Sequence, residues 1–212
     1  MKAQHQNDSE CSDPEVVASK AGKHYMWKLI GKYRDEFSPH QSIVLNTDNE
    51  CVYILGGNGN KNSNLRYDYK TIKTLAAMPA EKTFFSTVYL EGVIYTFGGY
   101  DGQNRLDAIE RYSIEESDWH MLKVKLKFAL SNCACYCPEP DKVVVFGGGF
   151  SSGFSPYVEQ IDVKTGQWRT LPIMVEGRDL RNKVCFVDEH AYAVGGLNSK
   201  AEKFNYRQRQ WV

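Results

Sequence analysis

The chain has 212 residues, and its 26 lysines and arginines are balanced by 26 aspartates and glutamates. A formal net charge of zero excludes the strongly basic surface that nucleic-acid binders and anionic-membrane binders use. The hydrophobic share of 42% and the charged share of 25% are ordinary for one soluble globular domain. The polar N-terminus has no signal-peptide core and no apolar stretch reaches about 18 residues, so composition predicts a cytoplasmic location.

The first 36 residues are expected to lie outside the main domain. Residues 1–22 are polar and contain no aromatic side chain, which is typical of a mostly disordered tail. Residues 23–36 contain a short apolar run around Trp27 that is similar to the later runs beginning at Trp119 and Trp168. This similarity predicts an orphan outer strand followed by a linker.

Four hydrophobic runs in the rest of the chain each end in a glycine pair. The first glycines of successive pairs are 42, 49 and 48 residues apart. In three of the four repeats an aromatic or aliphatic residue is followed seven positions later by tryptophan, whereas the first repeat has Thr74 there. Repeats of this length indicate four-stranded blades of a β-propeller. The signature residues are Gly56, Gly57, Gly98, Gly99, Gly147, Gly148, Gly195, Gly196, Trp119, Trp168 and Trp211.

The runs before the glycine pairs are too short for helices and are rich in β-forming residues. They are Cys51–Leu55, Val93–Phe97, Val143–Phe146 and Ala191–Val194. Apolar residues occupy both faces of these runs, as expected for sheets that are covered on both sides. For the second repeat we predict strand A over Phe85–Leu90, strand B over Val93–Phe97, strand C over Ala108–Ser113 and strand D from Trp119.

The order of hydrophobic strand, glycine pair, aromatic residue and tryptophan resembles the Kelch repeat over roughly residues 37–212. The resemblance implies an all-β, Kelch-type propeller of four-stranded antiparallel blades, with about four blades present. The expected repeats are about 37–78, 79–125, 126–177 and 178–212. Because Kelch propellers commonly have about six blades, this array is interpreted as incomplete or unusually small. The alternatives are a fragment of a longer protein, closure by another copy or a partner, and a compact four-bladed ring.

The signature residues have structural roles in this interpretation. Paired glycines at the end of a strand permit backbone torsions or close approaches that a Cβ would block. Each tryptophan is expected to bury roughly 150–250 Å² between neighbouring blades. One further position, three residues before each first glycine, is expected to be core because it is apolar in every repeat. Its members are Tyr53, Tyr95, Val144 and Tyr192.

The chain offers little support for catalysis. Cys133, Cys135 and Cys137 would place three thiols about 6.5–7 Å apart on one strand face, with no fourth zinc ligand nearby. We interpret them as packing residues, with redox or metal chemistry as the alternative. The five histidines show no metal-ligand spacing. No catalytic residue, metal or cofactor is predicted, and a sugar-active enzyme, by analogy with propeller oxidases and mutarotases, is the less favoured alternative.

Function is assigned to the loops rather than to the repeat itself. In a Kelch-like propeller the B–C and D–A connections emerge on one face, and here they combine Gly, Asn and Ser with aromatic and arginine residues. Such side chains are the usual anchors for a partner, so these loops predict a non-catalytic scaffold for a protein or peptide. The candidate partner-binding residues are Asn60, Tyr100, Asp101, Arg105, Phe150, Phe154, Arg178 and Arg181.

The resemblance also suggests classes of partner. Kelch propellers act as substrate-recognition modules of cullin ubiquitin ligases or as binders of the cytoskeleton. The alternative function is therefore the substrate-recognition part of a ubiquitin ligase adaptor. The BTB and BACK regions of such adaptors are absent from these 212 residues, which favours the scaffold prediction.

Overall fold

A computed structural model describes residues 42–46, 48, 50–58, 61–68, 70–181, 184–196 and 200–212. The predicted tail, the predicted orphan strand at Trp27 and the candidate residue Asn60 lie outside the described residues. Within the described part, no helix is long and apolar enough to cross a membrane.

The described residues form four antiparallel sheets of four strands, and each sheet follows chain order. Blade 1 contains β1 (Ser42–Asn46), β2 (Cys51–Leu55), β3 (Asn64–Tyr67) and β4 (Ile72–Thr74), and blade 2 contains β5 (Ser86–Leu90), β6 (Val93–Phe97), β7 (Ile109–Ser113) and β8 (Asp118–Met121). Blade 3 contains β9 (Ala134–Glu139), β10 (Lys142–Phe146), β13 (Val158–Asp162) and β14 (Trp168–Leu171), with the hairpin β11 (Gly149–Phe150) and β12 (Gly153–Phe154) between β10 and β13. Blade 4 contains β15 (Val184–Val187), β16 (His190–Val194), β17 (Ala201–Asn205) and β18 (Gln210–Trp211).

The predicted all-β propeller of four-stranded antiparallel blades is confirmed. In blade 2, strand B has the predicted bounds, while strands A and C each begin one residue later than predicted. The A strands β1, β5, β9 and β15 lie next to one another in that order, so strand A is the innermost of each blade. The glycine pairs end the B strands, and all eight glycines have positive φ angles, between 57° and 116°.

Three hydrophobic cores hold the array together, and each lies between two consecutive blades. Between blades 1 and 2, Tyr53 and Leu55 pack with Tyr112 and Trp119. The core between blades 2 and 3 includes Cys133, which supports the packing interpretation of that cysteine. The third core lies between blades 3 and 4 and contains Val144, Phe146, Ala191, Ala193 and Phe204.

The signature tryptophans pack at these three junctions, as predicted. The Nε1 atom of Trp119 donates a hydrogen bond to the Ala76 carbonyl at 2.9 Å, which ties blade 2 to the end of blade 1. Trp211 makes the equivalent bond to the Pro172 carbonyl at 2.8 Å. Trp168 packs against the core between blades 2 and 3. Each ring therefore joins its own blade to the preceding one.

The outward face of blade 4 departs from the predicted core. The last residue of strand B is fully buried in the first three blades, where it is Leu55, Phe97 or Phe146, but Val194 in blade 4 is 50% exposed. Tyr192, predicted to be core like Tyr53, is only half-buried. The physical reason is that no following blade among the described residues covers this face.

Candidate partner-binding loop face

The B–C and D–A segments of neighbouring blades are joined into one continuous surface, which we call the loop face. It comprises residues 56–58, 61–63, 75–85, 98–108, 122–133, 147–157, 172–181, 195–196 and 200. Thr83 and Tyr100 exchange two backbone hydrogen bonds, of 2.9 and 2.8 Å, and Ser131 and Gly149 exchange two of 3.1 and 2.6 Å. These bonds tie each D–A segment to a B–C segment, so the loops are held in fixed positions.

A buried charge cluster fixes the D–A segment that enters blade 2. The Nζ atom of Lys82 lies 2.6 Å from Oε2 of Glu110, and both side chains are 0% exposed. Lys82 also donates to the Thr96 hydroxyl at 2.7 Å, and that hydroxyl donates to Glu110 at 3.1 Å. Burial lowers the pKa of the Lys82 ammonium, and the Glu110 carboxylate opposes this shift. The cluster is structural because none of its groups faces solvent.

Arg178 occupies the same position in blade 4, so its prediction as a partner-binding residue needs correction. Arg178 is only 1% exposed, and its Nη2 atom lies 2.6 Å from Oε1 of Glu202. Its Nη1 atom donates to the carbonyls of Gly195 and Lys200 at 2.6 and 2.7 Å. The buried guanidinium thus binds the backbone of the B–C loop of blade 4 from the protein interior, where a partner cannot contact it. Sequence reasoning placed Arg178 in a D–A segment but did not show that its side chain is buried.

Two of the other candidates, Tyr100 and Asp101, form a structured turn in the B–C loop of blade 2. Oδ1 of Asp101 accepts backbone hydrogen bonds from Gln103 and Asn104 at 2.7 and 2.6 Å. These bonds lower the pKa of the Asp101 carboxyl, with the Asn104 amide as the larger cause. The Tyr100 hydroxyl donates to the Gly102 carbonyl at 2.9 Å. Both side chains are partly exposed and presented by a turn with internal hydrogen bonds.

The remaining described candidates lie on blade 3 and its borders. Arg105 is exposed, with its guanidinium beside Gly149. Phe150 and Phe154 lie on the two strands of the β11–β12 hairpin and are half-buried, and Phe150 packs against the core between blades 2 and 3. Arg181 is exposed and pairs with Asp179 at 3.2 Å. Arg105 and Arg181 are therefore accessible, and the two phenylalanines are partly accessible.

Sequence reasoning missed an exposed aromatic pair on the loop face. The rings of Phe128 and Tyr157 stack with centroids 5.3 Å apart and an interplanar angle of 18°, although the residues are 45% and 41% exposed. Exposed Ile173 and Val175 lie on the adjoining D–A segment, which bonds to the segment of Tyr157 through Met174 N and the Pro156 carbonyl, 2.9 Å apart. The sequence signal that could have pointed to this pair was an aromatic residue in each segment, Phe128 in the D–A segment and Tyr157 in the B–C segment.

The opposite face, formed by the A–B and C–D turns, carries clefts between the blades. A cleft of about 720 Å³ between blades 3 and 4 is lined by Glu139, His190, Tyr206, Arg207 and other polar residues. Burial raises the pKa of Tyr206 to about 12, and the Glu139 carboxylate adds to the shift. Within the described part of the chain, no three His, Cys, Asp or Glu side chains converge as metal ligands would.

An ion pair on this opposite face gives a pH-dependent prediction. Lys142 contacts Asp162, and together with the Thr165 amide it lowers the pKa of Asp162 from 3.8 to about 2. The contribution of Asp162 to stability is therefore complete above about pH 4 and is lost as the pH falls towards about 2. Asp162→Asn, which retains Oδ1 for the turn, should be less stable than the wild type at neutral pH.

Urea unfolding at a series of pH values tests this expectation. The difference in unfolding free energy between the wild type and Asp162→Asn should shrink to nearly zero by about pH 2. Lys142→Met should reduce the same pH dependence because it removes the main cause of the shift. A difference that stays constant across the acidic range would contradict the assignment.

Comparison with known proteins identifies the repeat. The Kelch motif matches residues 82–123 and 140–175, which span most of blades 2 and 3. Kelch-like protein 35 of Mus musculus is 28% identical over 187 residues, covering 86% of this chain and 31% of that protein. Two segments of this chain therefore carry the Kelch motif. Kelch-like protein 36 of Rattus norvegicus is 22% identical over 188 residues, covering 79% of this chain and 30% of that relative.

Two further proteins are similar to this chain. Kelch repeat protein C2 of Vaccinia virus (strain Western Reserve) is 25% identical over 129 residues, covering 58% of this chain and 24% of the viral protein. The solved structure of YjhT superposes with a TM-score of 0.70 at 15% identity, covering 82% of this chain and 66% of that one. The chain spans about a third of the length of these two Kelch-like proteins, 35 and 36.

Proposed function

We propose that this Kelch array is a non-catalytic interaction module that binds a protein or peptide partner through the loop face. The observation that carries the proposal is the exposed stack of Phe128 on Tyr157. Large apolar side chains that stay exposed in clusters mark interaction surfaces, because water contact costs free energy that a partner would recover. The exposed neighbours Ile173 and Val175 enlarge this apolar patch.

Arginine side chains supply the polar part of the proposed surface. Arg105 and Arg181 are exposed on the same loop face, and arginine and tyrosine are among the residue types enriched at binding hot spots. The backbone bonds between B–C and D–A segments fix the loops before binding. Binding would therefore cost less conformational entropy than it would if these loops had to become ordered on contact with the partner.

The class of partner is a separate prediction. Membership of a ubiquitin-ligase or cytoskeletal complex follows from the family resemblance alone. The loop face itself favours an extended peptide or a protein loop with an aromatic or aliphatic anchor beside a carboxylate. The anchor would pack on the Phe128–Tyr157 stack, and the carboxylate would pair with an exposed arginine.

Selection from a random peptide library displayed on phage tests the proposal. The purified 212-residue chain is the bait, and fluorescence anisotropy measures the affinity of each selected peptide. We expect peptides with an aromatic or aliphatic residue near Asp or Glu. Tyr157→Ala and Arg105→Ala should each weaken their binding by about tenfold or more.

Matched variants on the opposite face provide the control. Arg207→Ala removes an exposed arginine from the C–D turn of blade 4, and Ile72→Ala removes an exposed apolar side chain beside the C–D turn of blade 1. Both should leave the peptide affinity unchanged. The proposal fails if the library yields no peptide, or if loop-face and control variants weaken binding equally.

A further inference from the structure

One position of strand C carries a glutamate in blades 2, 3 and 4. It pairs with the second-last residue of strand B in each of these blades, and its members are Glu110, Glu159 and Glu202. Their side chains are at most 12% exposed. A buried carboxylate needs a counter-ion, because removing an unpaired charge from water is costly. Each of the three blades therefore requires a cation at this point.

Blades 2 and 4 supply the cation from one fixed position of the D–A segment. It belongs to the residue whose carbonyl faces the first glycine of the preceding glycine pair, which is Lys82 or Arg178. In blade 3 the residue at this position is Leu130, whose carbonyl faces Gly98. Blade 3 thus retains the carboxylate of Glu159 but has a leucine where the other two blades have a buried cation.

The cation that contacts Glu159 comes from the surface instead. The Nζ atom of Lys127 lies 2.6 Å from Oε2 of Glu159, and the lysine side chain is 38% exposed. The Thr170 hydroxyl donates to Oε1 of Glu159 at 3.1 Å and fixes the carboxylate. A lysine that reaches solvent leaves a carboxylate at little cost, because water solvates its ammonium. The counter-ion of Glu159 is therefore exchangeable, unlike the buried cations of blades 2 and 4.

The exposed aromatic stack lies at this same junction. Phe128 lies two residues after a backbone amide that bonds to the B–C segment, and the D–A segments that enter blades 2 and 4 have Ala80 and Glu176 there. Blade 3 thus combines the loss of an internal cation at Leu130 with a stack of Phe128 on Tyr157. Aromatic faces attract cations, and the arginine guanidinium stacks on them.

A small cavity joins the stack to the carboxylate. Phe128, Tyr157, Lys127 and Glu159 all line it, and its volume is about 10 Å³. A cavity of this size holds about one water molecule. A larger group that binds Glu159 must therefore take the place of the Lys127 ammonium.

We infer that Glu159 binds an arginine side chain of the partner, whose guanidinium replaces the Lys127 ammonium beside the Phe128–Tyr157 stack. This inference rests on the proposed function and adds a basic residue to the anchor and the acidic residue expected of the partner. Arginine is favoured over lysine because its planar fork binds a carboxylate through more than one nitrogen and also stacks on aromatic rings. Arg178 already binds the equivalent Glu202 through two of its nitrogens.

Parallel selection on two baits tests the inference. The phage library of random peptides is panned against the whole 212-residue chain and against its Glu159→Gln variant. Peptides selected by the wild type should carry an arginine near the aromatic or aliphatic anchor. Peptides selected by Glu159→Gln should keep the anchor and the acidic residue but lose the preference for arginine.

Fluorescence anisotropy on the strongest arginine-containing peptide measures the contact. Glu159→Gln should weaken its binding about tenfold or more, but should not affect a version with glutamine in place of the arginine. Lys127→Ala removes the competing ammonium and should tighten binding of the arginine peptide by up to about fivefold. The matched control is Glu116→Gln, which changes an exposed carboxylate in the C–D turn of blade 2 and should leave both affinities unchanged.

The outcomes separate this inference from the proposed function. An arginine peptide that binds Glu159→Gln as tightly as the wild type would overturn the inference. If Glu159→Gln does not fold, as judged by thermal unfolding, Lys127→Ala decides, and unchanged or weaker binding of the arginine peptide would overturn it. Selected peptides without arginine that Tyr157→Ala weakens would refute the arginine contact and leave the proposed function intact. A library without any binder would refute both.

Discussion

Replacing Lys82 by methionine is expected to lower the free energy of unfolding by about 3–5 kcal/mol. The substitution leaves the Glu110 carboxylate fully buried without the ammonium that lies 2.6 Å from it. Its remaining partner in the cluster, the Thr96 hydroxyl, is neutral and lies 3.1 Å away. Urea unfolding followed by tryptophan fluorescence measures the loss, because Trp119 reports on the junction of blades 1 and 2.

The repeat itself supplies the control for this prediction. Leu130 occupies the position of Lys82 at the entrance to blade 3, and Leu65 in blade 1 occupies the position of Glu110. The double variant Lys82→Leu with Glu110→Leu should therefore recover most of the lost stability, since replacing both members of a buried pair by apolar residues is often neutral.

A surface ion pair gives the matched comparison. Lys125→Met removes the partner of Asp107, a pair with both side chains well exposed, and should cost less than about 1 kcal/mol. If Lys82→Met costs no more than Lys125→Met, the buried pair does not stabilise the entrance to blade 2.

The ends of the B strands could be predicted because a glycine pair follows the strand in every repeat. The B strand Val93–Phe97 has the predicted bounds, since Gly98 ends the strand directly after Phe97. The burial of the Tyr192 side chain could not be predicted from its own repeat. Its position is core only when another blade follows, and that depends on the surroundings of the blade rather than on its sequence.

The candidate site was harder to predict than the fold. Sequence reasoning places Arg178 in a D–A loop but does not show that Glu202, which is 24 residues away in the chain, draws its guanidinium into the interior. Conversely, Phe128 and Tyr157 are far apart in sequence and have no repeat signature, so their stacking follows only from the packing of two connections. Residue type could nominate the loop face only as a candidate, whereas side-chain depth required the three-dimensional arrangement.

Gly98→Ala should destabilise the protein by at least about 2 kcal/mol more than Gly92→Ala. Both glycines have left-handed backbones, with φ angles of 62° and 80°, so the torsional cost of about 1–2 kcal/mol for a Cβ is common to both. The surroundings differ. A Cβ at Gly98 would lie 2.4 Å from the Leu130 carbonyl oxygen, whereas one at Gly92 would meet nothing within 4 Å.

The extra cost at Gly98 arises because the obstructing atom is fixed. The Leu130 carbonyl accepts a hydrogen bond from the Gly99 amide at 2.8 Å, so moving it away would break a bond between the B–C segment of blade 2 and the D–A segment that enters blade 3. Chemical unfolding of both variants measures the difference. Hydrogen exchange at the Gly99 amide should also become faster in Gly98→Ala and stay unchanged in Gly92→Ala. Equal destabilisation of the two variants would mean that torsion alone, and not the close approach of neighbouring loops, requires glycine at the end of strand B.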